Sequence, residues 1–249
     1  MDTLKITQDY YAAWMGVDPE CMNEKGLVVA YSPQRDWPME GYARAFHVLA
    51  YKTEAGLIVS HGKKAAPFAE SLKRRIGPDM DLESLRSALE EICGKAPDAG
   101  IKYLYSKRIP YQGGAFKLRD KDVERYREFF AAVHPNVSDI SWVDEYFAEI
   151  VDKGFCYGVE DEEGRLLSVV DLPPMPFMKG EVQELGINTV RSHRGRGHAK
   201  KACLASIEAM LERGVCPQWS TGESNAASDG LAKSIGFEPL ALTFAISFS

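Results

Sequence analysis

The chain has 249 residues, 45% hydrophobic and 27% charged, enough for two domains and a buried core. Its 30 Lys and Arg against 36 Asp and Glu give a net charge of −6, and the acidic excess lies beyond residue 115. This balance argues against nucleic acid as a partner, because gripping a phosphate backbone needs a net basic face.

The five cysteines, Cys21, Cys93, Cys156, Cys203 and Cys216, are odd in number and show no CxxC spacing. They read as reduced thiols of a cytoplasmic protein. The opening MDTLKITQDYYAAW has acids at Asp2 and Asp9 and no basic stretch ahead of an apolar core, so no signal peptide is expected. No apolar run is long enough to span a bilayer, and no membrane partner is expected.

Taken in chain order, the first half reads as mixed α/β. LVVAY, AFHVLAY and GLIVS are short apolar runs of strand type. APFAESLKRRI and DLESLRSALEEIC follow as helices, the second with Asp81 as its N-cap and Gly94 as its stop. KYLYS reads as a further strand. IPYQGGA, with Pro110 and the Gly113-Gly114 pair, is the natural linker. It divides an amino-terminal α/β domain, 1–112, from a second domain, 113–249.

Beyond it come a short strand FKLRD, an amphipathic helix DVERYREFFAAVHP, and a helix SWVDEYFAEIVDKG with Ser141 as its expected cap. Three apolar runs follow, FCYGVED, RLLSVVDLP and EVQELGINTV, the first two joined by a hairpin turn at Gly164. A glycine loop leads into the helix AKKACLASIEAMLERG. The chain closes with a strand CPQWST, a helix NAASDGLAKSIG and a strand LALTFAISF. The expected order after the linker is β-α-α-β-β-β-α-β-α-β, a mixed and mainly antiparallel sheet flanked by helices.

The chemistry concentrates in RSHRGRGHAKKA, Arg191 to Ala202, between an apolar strand and a helix. The first helical N–H groups have no intrahelical partner, and the helix dipole adds about half a positive charge there. Gly195 and Gly197 let the backbone turn its amides inward and let a phosphate approach without meeting a Cβ. A dinucleotide fingerprint fits poorly, because Lys200 stands where GxGxxG needs its third glycine. A Walker loop needs GKS or GKT, which is absent. His193 and His198 flank the loop without metal-pair spacing, so no metal is expected.

Arg194-Gly-Arg-Gly197-His-Ala199 resembles the [Q/R]-x-x-G-x-[G/A] loop of the GNAT superfamily of CoA-dependent N-acetyltransferases. Asn225, followed by a helix closing in SIGF, resembles that superfamily's downstream N…GF signature. The resemblance covers roughly residues 115–249, so the second domain is identified as a GNAT fold. The two-part layout is similar to GNAT proteins of the zwittermicin A-resistance type, which acetylate an amine-bearing antibiotic.

The resemblance implies acetyl-CoA as acyl donor, with its pyrophosphate on the amides of Gly195, Arg196, Gly197, His198 and Ala199, and Arg194 at the rim. It implies a splayed strand whose backbone, from Ile187 through Asn188 and Thr189 to Val190, pairs with the pantetheine arm. Asn225 touches that arm from the other side, although capping the following helix explains it equally well. The implied reaction is attack of a neutral primary amine, on a small-molecule acceptor, at the thioester carbonyl. An alkyl amine of pKa about 10.4 costs on the order of 4–5 kcal/mol to deprotonate at pH 7, so a carboxylate near the attack point helps. Glu184, on the strand where these enzymes often place their base, is expected to be base or water-holder, with Asn188 on the same face by the period of two. Glu181 is the lesser alternative, and a salt-bridged strand glutamate explains either.

The sequence departs from the family at Ala232, where many members carry a Tyr that protonates the departing thiolate. Ser228, one turn earlier, is the substitute proton relay, or a plain capping residue. Trp142, Tyr146 and Phe147, with Asp139, Asp144 and Glu145, form either an acceptor-binding lip or an ordinary amphipathic helix. The amino-terminal domain is expected to wall the acceptor site or to make a homodimer contact. Two alternatives stay open: a CoA-binding regulator without turnover, and an acetyltransferase acting on protein lysines or N-termini.

Overall fold

A computed structural model describes residues 1–248. The chain begins with a helix α1 (Thr3–Met15), followed by strands β1 (Gly26–Tyr31), β2 (Val48–Lys52) and β3 (Gly56–His61). Helices α2 (Ala69–Arg75) and α3 (Leu82–Cys93) precede β4 (Asp98–Tyr105). Then come β5 (Phe116–Lys117), α4 (Val123–Val133), α5 (Val143–Asp152), β6 (Tyr157–Glu160), β7 (Leu166–Asp171), β8 (Val182–Glu184) and β9 (Gly186–Thr189). The last elements are α6 (His198–Glu212), β10 (Cys216–Gly222), α7 (Ala226–Ser234) and β11 (Phe237–Ile246).

The strands form two sheets. One has seven strands in the order β1-β3-β2-β11-β4-β10-β8, the other four in the order β5-β6-β7-β9. β1 with β3 and β10 with β8 run parallel, and the other named pairs are antiparallel. The expected boundary at 112 falls in a connecting loop, yet strands from both sides of it share the larger sheet. β4 lies between β10 and β11, and β11 continues onto β2.

Alternation along β2 shows how that sheet is covered on both faces. Leu49 and Tyr51 pack with Tyr11, Trp14 and Met15 of α1. Val48 and Ala50 pack with Leu72 of α2 and Leu85, Leu89 and Ile92 of α3. A third core joins α4, α5, α6 and α7 to the smaller sheet and to Tyr103, Trp219 and Phe237. Local signals set the helix ends as expected for α3: Asp81 accepts from the Ser84 amide at 2.7 Å, and Gly94 closes the helix at φ 68°.

Four expectations need correction. α1, for which no element is expected from the sequence, is a capped helix: Asp2 accepts from the Lys5 amide and Gly16 ends it at φ 70°. The stretch APFAESLKRRI opens as a 3₁₀ turn, Lys63–Phe68, and is α-helical only from Ala69. Ser141 does not cap α5, because its own amide and hydroxyl donate to Asp139 in a tight local turn. The run EVQELGINTV is two strands, β8 and β9, in different sheets.

Candidate active site

That split creates the site. β8 pairs with β10 as far as Glu184 opposite Gln218, and the Leu185 amide makes the last tie to the Gln218 carbonyl at 3.1 Å. From Gly186 onward the chain pairs with β7 instead. β9 and β10 therefore part, and a cleft of about 660 Å³ opens between Ile187, Asn188 and Thr189 on one side and Trp219 and Ser220 on the other. β9 is the last strand of its sheet, so one edge of its backbone is unpaired.

Ladder geometry says which groups face the cleft. The Val190 amide donates to the Leu167 carbonyl, which places Val190 and Asn188 in the residue pairs bonded to β7. Ile187 and Thr189 turn their N–H and C=O groups the other way. The expectation that all four backbones meet a ligand is thus narrowed to Ile187 and Thr189. Asn188 lines the cleft but spends its backbone on β7, and Val190 lies outside the cleft beside Leu167 and His193.

The glycine loop closes one end of the cleft. Gly195 and Gly197 have φ of 75° and 82°, and a Cβ at either position would project into open space. After Arg194, whose amide donates to the Arg191 carbonyl, the next amide to find a partner is Lys201, on the Gly197 carbonyl at 3.2 Å. The amides of residues 195–200 have no acceptor among the described residues. A row of unspent donors at the start of a 15-residue helix is an anion site by construction. Arg194 ties the loop to β9 through its Nε and the Thr189 carbonyl at 3.2 Å. Gly195, Gly197, His198 and Ala199 line the cleft, whereas the Arg196 side chain lies in a neighbouring depression with Glu160 and Asp161. His198 has a buried Nδ1 without a partner. Burial, with Lys201, His193 and Arg196 nearby, holds its pKa below the usual imidazole value.

α7 forms the opposite wall. Asn225 caps it, accepting from the Ser228 amide at 3.1 Å, and also lines the cleft. The Ser228 hydroxyl accepts from Trp219 Nε1 at 3.2 Å and keeps its own hydrogen for another partner. Ala232 is fully buried, with core residues around it.

Glu184 lies on the far side of β10's edge. Ser220, one of the cleft residues, donates its hydroxyl to Glu184. The expectation that Glu184 and Asn188 share a face fails, since the strand changes sheet between them at Leu185. Glu181 is exposed and away from this cluster. Around Glu184 gather residues with no motif to mark them: Tyr10 and Tyr11 of α1, Tyr42, and Lys102 of β4. Burial, and then the Glu184 charge, push all three phenols up. Burial pulls Lys102 down, with Glu184 opposing. Lys102 faces Ser220 directly across the β4–β10 ladder. The signal for α1 was present in Ile6, Tyr10 and Trp14 at helical spacing between Asp2 and Gly16. Nothing local marked Lys102.

Three residues of the expected aromatic and acidic lip on α5 have partners within the fold, while Trp142 stays exposed. Phe147 stacks on Tyr126 with ring centroids 4.5 Å apart, Tyr146 donates to Asp171, and Asp144 pairs with Arg127. Cys203 is fully buried and its thiol is pushed up by burial, as suits a core residue. Among the described residues no group of three or more His, Cys, Asp or Glu could hold a metal ion.

A strand that passes from one sheet to another, with an amide-rich helix start at the gap, is built to hold an anionic ligand along a free strand edge. Residues 153–241 match the family model described as GNAT acetyltransferase. Among solved structures, a GNAT-family acetyltransferase from Colwellia psychrerythraea is 18% identical with a TM-score of 0.51, covering 60% of this chain and 56% of its own. A GCN5-related N-acetyltransferase from Sphaerobacter thermophilus is 17% identical with a TM-score of 0.52, covering 66% of this chain and 55% of its own. These likenesses show the fold, over a little more than half the length of each relative. No curated protein sequence matches this chain.

Proposed function

We propose that the protein is an N-acetyltransferase that moves an acetyl group from acetyl-CoA to a primary amine on a small molecule, by direct attack in a ternary complex. One observation carries this reading: Gly195 and residues 197–200, with their unpartnered amides, and the edge of β9 turned away from β7 line the same cleft. The residues fit the donor on its chemistry. Two glycines leave the loop open where a Cβ would stand, which suits a diphosphate. The amides of Gly195, Arg196, Gly197, His198 and Ala199 would hold it, and the outward N–H and C=O of Ile187 with the N–H of Thr189 would meet the pantetheine amides, the Thr189 carbonyl being shared with Arg194. Asn225 contributes from α7.

When bound, acetyl-CoA supplies a carbonyl already activated for attack. Glu184, oriented by Ser220, takes the proton from the acceptor ammonium, offsetting the 4–5 kcal/mol or so that free deprotonation costs. Ser228 presents its remaining hydroxyl hydrogen to the departing sulfur. A thiol of pKa about 8.5 is a good enough leaving group to do without the missing phenol at Ala232. α1 covers the Glu184 face of the sheet, and an enclosed acceptor side favours a small molecule over a protein tail. On this reading the amino-terminal residues 1–112 wall the acceptor site. Five cysteines, none in a disulfide, support a reducing, cytoplasmic setting.

The test is to incubate protein and acetyl-CoA with aminoglycosides, polyamines, amino acids and peptides, reading free thiol and the acetylated product. Amine-dependent release is expected. Calorimetric binding of acetyl-CoA without release across the panel would instead establish the non-catalytic regulator, the reading that Ala232 favours.

A further inference from the structure

Resting on the transfer reading above, we infer that the acceptor is a zwitterion, an amine that also carries an anionic group, seated with its amine at Glu184 and its anion at Lys102 and the phenols of Tyr10, Tyr11 and Tyr42.

Four polar groups around Glu184 have hydrogen-bonding capacity that the fold does not use. Tyr10, Tyr11 and Lys102 are 3%, 2% and 8% exposed. Neither their hydroxyl and ammonium groups nor the Tyr42 hydroxyl hydrogen-bond to any group among the described residues. None of these polar atoms is fully sealed from solvent among the described residues, so each stays reachable, and several unspent polar groups converging on one spot offer a ligand its partners.

Lys102 is the most telling of them. Its ammonium lies 4.5 Å from the Trp14 ring centroid and 5.8 Å from that of Tyr11. Ring faces recover only part of what a buried cation loses on leaving water. No carboxylate stands within ion-pair distance of it among the described residues. The nearest negative charge in the cluster, Glu184, is engaged by Ser220.

Register fixes the spacing. Ser220 faces Lys102 across one ladder and holds Glu184 across the other, so the two charges flank β10 on the face beneath α1. Adjacent strands are about 4.8 Å apart, and side chains reaching inward over Ser220 suit an amine and an anion separated by only a few bonds. Charge balance agrees. Glu184 and Lys102 together are neutral, and a neutral zwitterion adds no net charge to a buried site. A plain cationic amine would leave the cluster with one positive charge unbalanced, since Glu184 can offset only one of the two cations.

The anion can be a carboxylate or a phosphate, and matched pairs of acceptors separate the two: tyrosine with tyramine, lysine with cadaverine, and phosphoethanolamine with ethanolamine. The expected result is a kcat/KM at least about 10-fold higher for the anionic member of one or more pairs, the size of a hydrogen bond to a charged group. Lys102→Met should bring the two members to within about threefold of each other while acetyl-CoA affinity by calorimetry is unchanged. Tyr10→Phe removes only a hydroxyl and should lower the preference in the same direction, which covers the case in which the lysine variant folds poorly. Equal rates within every pair, or a preference that survives both substitutions, overturns the inference alone. CoA release with no amine at all overturns the transfer reading and takes this inference with it.

Discussion

Ser220 holds Glu184 from the neighbouring strand, just past the last residue pair of the β8–β10 ladder, Glu184 with Gln218. The carboxylate is thereby fixed at the point where the sheets part, with one oxygen oriented and the other free to meet an acceptor. Glu184→Gln is expected to lower kcat by about 10²-fold or more, the usual contribution of a positioned base. The loss should be greatest at low pH, where more of the amine is protonated, and acetyl-CoA affinity should be unaltered. Ser220→Ala should cost less, about 10-fold, and the double variant should be no worse than Glu184→Gln alone, because the serine acts through the carboxylate. Steady-state kinetics on the four proteins checks this, and additive losses would show that Ser220 has an independent role.

The loop makes a separate prediction. Gly197 has φ 82° and open space where a side chain would go. Gly197→Ala meets only the left-handed backbone penalty, about 1–2 kcal/mol, and should lower the melting temperature while weakening acetyl-CoA binding modestly. Gly197→Asp adds a carboxylate against the unpartnered amides and should abolish binding. Thermal unfolding and calorimetry on both variants separate strain from charge. Equal affinities for the aspartate variant and the native protein would remove the loop from the site.

The parts of the site that the sequence revealed are those made by short-range physics. Gly195 and Gly197, the start of α6 and the Asn225 cap depend on neighbours within a few residues, and their signals are local. The break at Leu185 left no such mark. Both halves of EVQELGINTV are sheet strands, so the apolar pattern continues straight through the change of sheet. Period-two reasoning carried Glu184 and Asn188 to one face because it assumed one strand. Lys102 was invisible for another reason: its surroundings arise when β4 inserts between β10 and β11, strands far away in the chain. The same insertion is why the linker at 109–115 separates two stretches of sequence but does not interrupt the large sheet.

Asn225 has two expected duties, and substitution can divide them. As the cap of α7 it accepts from the Ser228 amide. Asn225→Ala should destabilise the protein by about 1 kcal/mol in urea unfolding, whereas Asn225→Asp should keep the cap and most of the stability. If the side-chain amide also donates to the CoA arm, both variants should bind acetyl-CoA more weakly, and the aspartate by more than its stability predicts. Normal affinity in Asn225→Asp would leave the residue with the cap alone.

If the proposed diphosphate site is right, His198 should make acetyl-CoA binding depend on pH. Its folded pKa lies below 6.5 because of burial and the cations Lys201, His193 and Arg196. The unfolded chain therefore binds the proton more readily. Stability contributed by neutral His198 is intact above about 6.5 and is lost as the pH falls toward the lower folded value. A bound diphosphate reverses the local field and raises that pKa, so binding takes up protons. Acetyl-CoA affinity should rise as the pH is lowered from about 7.5 to about 6, with proton uptake visible as a dependence of binding enthalpy on the ionisation heat of the buffer. His198→Gln should flatten both trends while leaving affinity at high pH nearly unchanged. Proton release on binding, or a pH dependence that persists in the variant, would place the phosphates away from this imidazole.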